Sequence, residues 1–294
     1  MRLGFHVSIG GGMRRALQAA LQRRCQTVQV FSAAPSAWVR RKPDPDEDAA
    51  FVLACQHADI RPVFVHAPYL LNLASADGGL WRRSVSVLAQ ELDIAGHWRA
   101  AGVVVHLGSA GDQSIAAGMK RVSKAIRQAR SRSQEPSRII LENCAGQGNS
   151  VGYTMSQIGE IISAVGRERI GVCVDTAHAF AAGYAVNTSE GLNEMIDEAE
   201  AAFGLDLVQL IHLNDSKSHL GSRVDRHEHI GRGCIGPDGF RVILSEPRLR
   251  HLPFIMETPK TPGDDLADDL ANLRRLRRII PREIRPPLPR LRRG

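Results

Sequence analysis

The 294-residue sequence lacks several features that would assign it quickly. No apolar run approaches the ~18–20 residues needed to span a bilayer, which argues against a membrane-spanning protein. The five cysteines (Cys25, Cys55, Cys144, Cys173 and Cys234) are odd in number and include no CxxC pair. That spacing speaks against a thiolate zinc site or a disulfide framework and fits reduced thiols. Cys173, inside an apolar run, reads as a small core residue. The opening Met1-Arg2-Leu3-Gly4-Phe5-His6 lacks the charged-then-apolar plan of a secretory signal, so a cytoplasmic location is expected. Dinucleotide and P-loop fingerprints are also missing. Ser8-Ile9-Gly10-Gly11-Gly12 follows the first apolar run, matches neither, and reads as a flexible turn. Any metal must therefore be held by nitrogen and oxygen.

Negative charge is scarce at one end. From Arg274 to Gly294 there are nine arginines and one glutamate, a net +8, which leaves −1 of the chain's +7 for residues 1–273. The basic character thus belongs to the end of the chain. Residues 1–280 read as one domain and 281–294 as an Arg/Pro-rich tail, disordered beyond Pro281. A solubilising extension and a phosphate-grasping arm both fit that composition.

What is present is an alternation. Short β-branched runs are expected as strands at 3–7, 27–31, 62–66, 103–106, 138–142, 170–175, 208–213 and 253–257. Amphipathic stretches between and after them predict helices at 13–23, 45–57, 80–99, 114–132, 154–165, 189–203, 237–244 and 262–278. Ser114 is placed to cap one helix, Pro262 falls early in the last, and Gly102 follows a helix that would end near Ala101. Eight strands alternating with helices predict a closed (β/α)8 TIM barrel.

Six of these strands run apolar and then end in an ionisable residue: His66, His106, Glu142, Asp175, His212 and Glu257. Such groups are costly to bury unless paired or bound to a metal. A parallel barrel brings its strand ends to one rim, where active sites of this fold lie. Three more candidates follow strand ends. His178 stands three residues after Asp175, and Asp225 and His227 are two apart. If the chain turns helical after Asp175, that pair faces one cavity; an extended loop would aim Asp225 and His227 to one side. Nine nitrogen and oxygen ligands exceed what one catalytic zinc uses and suit two or three ions with one carboxylate bridging. Imidazole-rich sets favour Zn2+, with Mn2+ or Fe2+ as alternatives. Clustered ions ~3.5–4 Å apart suit phosphate ester hydrolysis. His6, at the end of the first strand, is placed to hydrogen-bond a ligand. His57, His97 and His251 read as surface residues, and His229 competes with His227.

These residues, in this order, resemble the endonuclease IV family of abasic-site endonucleases. The likeness rests on His6-Val7-Ser8 with Gly10-Gly11-Gly12, on His66-Ala67-Pro68-Tyr69-Leu70-Leu71-Asn72-Leu73, and on Leu141-Glu142-Asn143-Cys144-Ala145-Gly146-Gln147-Gly148. It continues through Asp175-Thr176-Ala177-His178 to Gly183-Tyr184, and through His212-Leu213-Asn214-Asp215-Ser216-Lys217 to Asp225-Arg226-His227. The resemblance implies three zinc ions. His66, His106 and Glu142 would hold one; Glu142, Asp175, His212 and Glu257 the second; His178, Asp225 and His227 the third. It implies cleavage of double-stranded DNA 5′ to an abasic site, leaving a 3′-hydroxyl and a 5′-deoxyribose phosphate. Trimming of blocked 3′ ends is an open second activity. It further implies that the abasic nucleotide is extruded, that Tyr69 wedges into DNA and that Gln147 fills the gap. Lys217, Arg223 and Arg226 are the candidate phosphate contacts. The protein would act as a monomer in the cytoplasm, associated with the nucleoid.

One position departs from the family. Ser36 stands two residues before Trp38, where the family usually carries a duplex-inserted arginine; Arg40, Arg41, Lys42 or the tail could substitute. The rivals are a sugar isomerase or epimerase of the related barrel superfamily, which has no need of the His178, Asp225 and His227 set, and an inactive damaged-DNA binder.

Overall fold

Each apolar run pairs in parallel with the next, and the last returns to the first. In a computed structural model, which describes residues 1–40, 42 and 44–287, the order begins β1 (Arg2–Val7), α1 (Met13–Gln22), β2 (Thr27–Phe31), α2 (Pro45–His57), β3 (Val63–His66) and α3 (Gly78–His97). It continues β4 (Val103–His106), α4 (Ile115–Arg132), β5 (Ile139–Glu142), α5 (Met155–Val165) and β6 (Ile170–Asp175). Two helices follow, α6 (Thr176–Ala182) and α7 (Ser189–Ala202), then β7 (Val208–His212). A hairpin of β8 (Asp215–Ser216) and β9 (His227–Glu228) precedes α8 (Gly236–Ser245), β10 (Pro253–Met256) and α9 (Asp265–Ile279). β1 pairs with both β2 and β10, so β1 to β7 and β10 close the expected (β/α)8 barrel.

Local chemistry sets the helix starts. Asp44, Ser114, Thr154 and Thr188 each accept a backbone N–H from the first turn, as capping side chains do. Two expectations shift. α9 starts at Asp265, so Pro262 lies in the preceding loop; Thr261 N–H there bonds the Asp268 carboxylate at 2.7 Å. α3 stops at His97, with Arg99 in the left-handed conformation, so Gly102 caps nothing. Gly102 instead lies against β5, where a Cβ would stand 2.8 Å from the Arg138 carbonyl oxygen.

Strand alternation organises the barrel interior. Phe64, Val104, Ile140, Cys173, Leu210 and Ile255 form a buried cluster of their own, separate from the larger core between strands and helices. Each lies two residues before one of the six ionisable strand ends, so this apolar layer is the floor beneath them. Burial pushes the Cys173 thiol up to about 12, consistent with its packing role.

The start of the tail is ordered. Residues Arg282–Ile284 form a 3-10 turn, Pro286 is buried, and Arg277 Nη1 donates to its carbonyl at 2.7 Å. Residues 282–287 of the expected tail thus lie against the barrel, and residues 288–294 lie outside the described residues. Gln26 Nε2 bonds the Pro287 carbonyl at 3.3 Å, just before β2 begins. Pro287 thus lies at the N-terminal mouth of the barrel, opposite the ionisable strand ends. Among the described residues no helix is long and apolar enough to cross a membrane.

Gly4 is the tightest point in β1: an added methyl would collide with the Thr27 carbonyl oxygen of β2. Gly4→Ala is expected to cost about 1–3 kcal/mol of stability, read as a lower urea midpoint at unchanged slope.

Candidate metal centre

The polar layer stands on the apolar floor at the C-terminal mouth. Glu142, at the end of β5, is fully buried, and its ion-pair partners among the described residues are all histidines. Its Oε2 lies 3.1 Å from His66 Nε2 and 3.5 Å from His106 Nε2. Its Oε1 lies 2.8 Å from His212 Nδ1 and 3.7 Å from His178 Nδ1. His212 Nδ1 also lies 3.4 Å from Glu257 Oε2 and 3.9 Å from Asp175 Oδ2.

A third group stands beside these. Asp175 ends β6 and also caps α6, its Oδ1 accepting the His178 N–H at 2.9 Å. That single turn carries His178 to the same cavity. His227, in β9, puts Nε2 3.7 Å from Asp175 Oδ2. Asp225 Oδ1 lies 3.3 Å from His178 Nε2 and 3.6 Å from His227 Nε2. Asp225 is the exposed member, its side chain 49% accessible.

The donor atoms fit divalent ions. Ligands of one tetrahedral zinc, at ~2.0–2.1 Å from the ion, stand about 3.3 Å from one another. Four sets of mutually close ligand atoms occur among the described residues: His66, His106 and Glu142; Glu142, Asp175, His212 and Glu257; Asp175, His178 and His227, with Asp225 alongside; and Glu142, His212 and Cys173, whose thiol belongs to the apolar floor and is held protonated by burial. The outer ring nitrogens are already committed, which leaves a bare nitrogen toward the centre. Nδ1–H of His66 donates to the Ala67 carbonyl at 2.6 Å, that of His178 to Asn143 at 3.0 Å, and that of His227 to Glu257 at 2.9 Å. His227 Nε2 is buried without a hydrogen-bond partner among the described residues.

Burial opposes ionisation of Glu142, but the charges of His106 and His212 outweigh it and hold the carboxyl well below its usual range. Burial likewise favours neutral His178, but Asp175 and Asp225 prevail and raise it to about 10. His106 moves the other way, its pKa lowered by burial.

Several residues that hold this geometry carry no charge and were not singled out from the sequence. Asn143 Oδ1 accepts the Asp175 N–H at 2.6 Å. Asn214 donates to Asp175 Oδ2 at 2.6 Å and accepts the Glu257 N–H at 2.7 Å. Gln29, on β2, bonds both His212 and Glu257. Asp215 is charged but serves as an anchor: it accepts N–H groups from Ser216, Gly233 and Ile235 at 2.9, 2.9 and 3.0 Å, closing the segment that carries Asp225 and His227. His6 does bond Glu257, Nδ1 to Oε1 at 3.0 Å. His229 instead meets Asn272 at 3.1 Å and joins no ligand set among the described residues.

Residues 17–276 match the family described as xylose isomerase-like TIM barrel. A probable endonuclease 4 of Methanosphaerula palustris is 44% identical over 288 residues, spanning 96% of this chain and 99% of that protein. Its counterpart in Methanoculleus marisnigri is 42% identical over 279 residues, 94% and 98% of the two chains. The solved structure of endonuclease IV from Thermus thermophilus matches with a TM-score of 0.83 at 36% identity, covering 95% of this chain and 98% of that one. This chain belongs to the endonuclease IV family.

The remaining candidate residues of this endonuclease IV member lie around the same mouth. Tyr69 is 61% exposed, with its ring 5.7 Å from that of His66 and 5.3 Å from that of Phe31. Gln147 is exposed and accepts the Asp225 N–H at 3.4 Å. Lys217 and Arg226 are exposed and joined by a backbone hydrogen bond of 2.9 Å. Arg223 is exposed too, its guanidinium 5.0 Å from the Tyr153 ring centre. One candidate is corrected: Arg40 cannot stand in for the family arginine missing at Ser36. It is buried, bonds Glu91 at 3.0 Å and also donates to the Ala37 carbonyl, so it ties the β2–α2 loop to α3. Lys42 is exposed, and Arg41 lies outside the described residues.

The raised pKa of His178 has a measurable sign. In metal-free protein its stabilising effect is complete below the ordinary value of 6.5 and is lost as pH rises through about 10. The Tm advantage of chelator-stripped wild type over His178→Gln should therefore shrink on going from neutral pH to about pH 10.

Proposed function

We propose that this chain is a DNA-repair endonuclease that hydrolyses the phosphodiester bond 5′ to an abasic site, using a three-zinc centre. The products are a 3′-hydroxyl and a 5′-deoxyribose phosphate, with trimming of blocked 3′ ends a second use of the same centre. The observation that carries this reading is that three adjoining sets of nitrogen and oxygen ligands are linked through Glu142 and Asp175.

Ions held there supply Lewis acidity toward a phosphate diester and activation of water. The protein's own part is positional. Glu142 belongs to the first two sets and Asp175 to the second and third, so these two carboxylates fix the spacing of the whole centre. The outward N–H bonds of His66, His178 and His227 keep each ring from turning away. Tyr69, half out of the surface beside His66, is the group a duplex meets first above the first set. Lys217, Arg223 and Arg226 supply positive charge on the flanking segment, where they would contact phosphates and fix register. A sugar isomerase would leave the set around His178 and His227 without a task, and the filled ligand positions speak against an inactive binder.

Purified protein is expected to carry about three zinc ions and to nick a duplex at a synthetic abasic site without added magnesium, leaving intact duplex uncut. Glu142→Ala removes the residue common to two sets and should abolish incision. Robust cutting by that variant would overturn the reading.

A further inference from the structure

We infer that Gln29 is a positioning residue for the second ion, fixing which nitrogen His212 presents to the centre while restraining Glu257. The inference rests on the proposed metal centre. Gln29 is fully buried in β2, and its amide is bonded on both sides. One end lies 2.7 Å from Glu257 Oε1 and 3.0 Å from His6 Nδ1, the other 2.9 Å from His212 Nε2. A carboxylate oxygen only accepts, so the end facing Glu257 must be the NH2 group. The end facing His212 is then the carbonyl oxygen, which only accepts, and His212 must carry its proton on Nε2. Nδ1, 2.8 Å from Glu142 and 3.4 Å from Glu257, is then the nitrogen that faces the centre and that a bound ion would take.

This is the reverse of its neighbours. His66, His178 and His227 donate from Nδ1 to backbone carbonyls, which the fold supplies whatever the side chains are. His212 depends on one side chain from a strand on another part of the barrel wall, so its orientation can be altered by a single substitution.

The Gln29→Met variant keeps length and loses the hydrogen bonds to Glu257, His6 and His212. Chelator competition should show one ion per chain held about 10–100-fold more weakly than in wild type, with the others retained. Thermal unfolding of the chelator-stripped variant monitors folding. Nitrogen-15 NMR of the histidines in zinc-loaded wild type gives a second measurement that needs no variant, and should find the His212 proton on Nε2. Wild-type zinc affinity in a folded Gln29→Met protein, or a protonated His212 Nδ1 in zinc-loaded wild type, would overturn the inference. A wild-type protein that takes up no zinc would instead overturn the metal centre on which it rests.

Discussion

A carboxylate buried among histidines, with no lysine or arginine paired to it among the described residues, is the constraint around which this molecule is arranged. Glu142 is wholly inaccessible, and it is ionised because imidazoles and their hydrogen bonds outweigh the loss of water. Such a group is tolerated only where counter-charge or a cation is built in at the same depth. The barrel meets that demand by register. Two residues below each ionisable strand end lies an apolar side chain, and these pack as one cluster. The polar layer therefore cannot sink into the core or rise into solvent without breaking strand alternation.

Strand alternation also explains what could be read from the sequence. An apolar run that stops at His66, Glu142 or Asp175 marks both a strand and its buried end, so the barrel and its six strand-end candidates were visible together. Gln29 was hidden by the same rule. Its strand runs on to Phe31, so the terminal residue is not the one that faces the centre, and an amide does not stand out as a charge would. Counting back by two, to match His6 in the neighbouring strand, would have found it, since the register pairs those two residues. Arg40 carried no local signal because its partner, Glu91, is fifty-one positions away. The loop arginines and lysines look alike in sequence, and only packing separates the buried clamp from the exposed cations.

Charge is divided by function and by place. The basic end of the chain accounts for the high net charge, yet its described part, to residue 287, runs to the barrel mouth away from the proposed metal centre. Long-range attraction to a polyanion can draw on that charge, whereas contact at the reacting bond must come from the mouth itself. There the exposed cations Lys217, Arg223 and Arg226 sit on the same segment as Asp225 and His227. One segment thus supplies both ligands and candidate phosphate contacts.

That sharing makes the anchoring of the segment a structural requirement of the proposed centre. Six ligand positions are held by barrel strands, whose hydrogen bonds run to two neighbours each. Asp225 and His227 are held by a two-residue hairpin, by the Asp215 carboxylate gathering the N–H groups of Gly233 and Ile235, by the bond from His227 to the Glu257 carbonyl, by Gln147 on the Asp225 N–H, and by backbone bonds from Gly221 and Arg223 to Phe180 and Ala181 of α6. The half-exposed Asp225 marks the edge of this arrangement. The first two sets are therefore set by the barrel, while the third is completed by a segment that also carries the exposed cations Lys217, Arg223 and Arg226. Under the proposed function, a substrate engaging those cations would act on the same backbone that positions the third set, which would link recognition to metal geometry there.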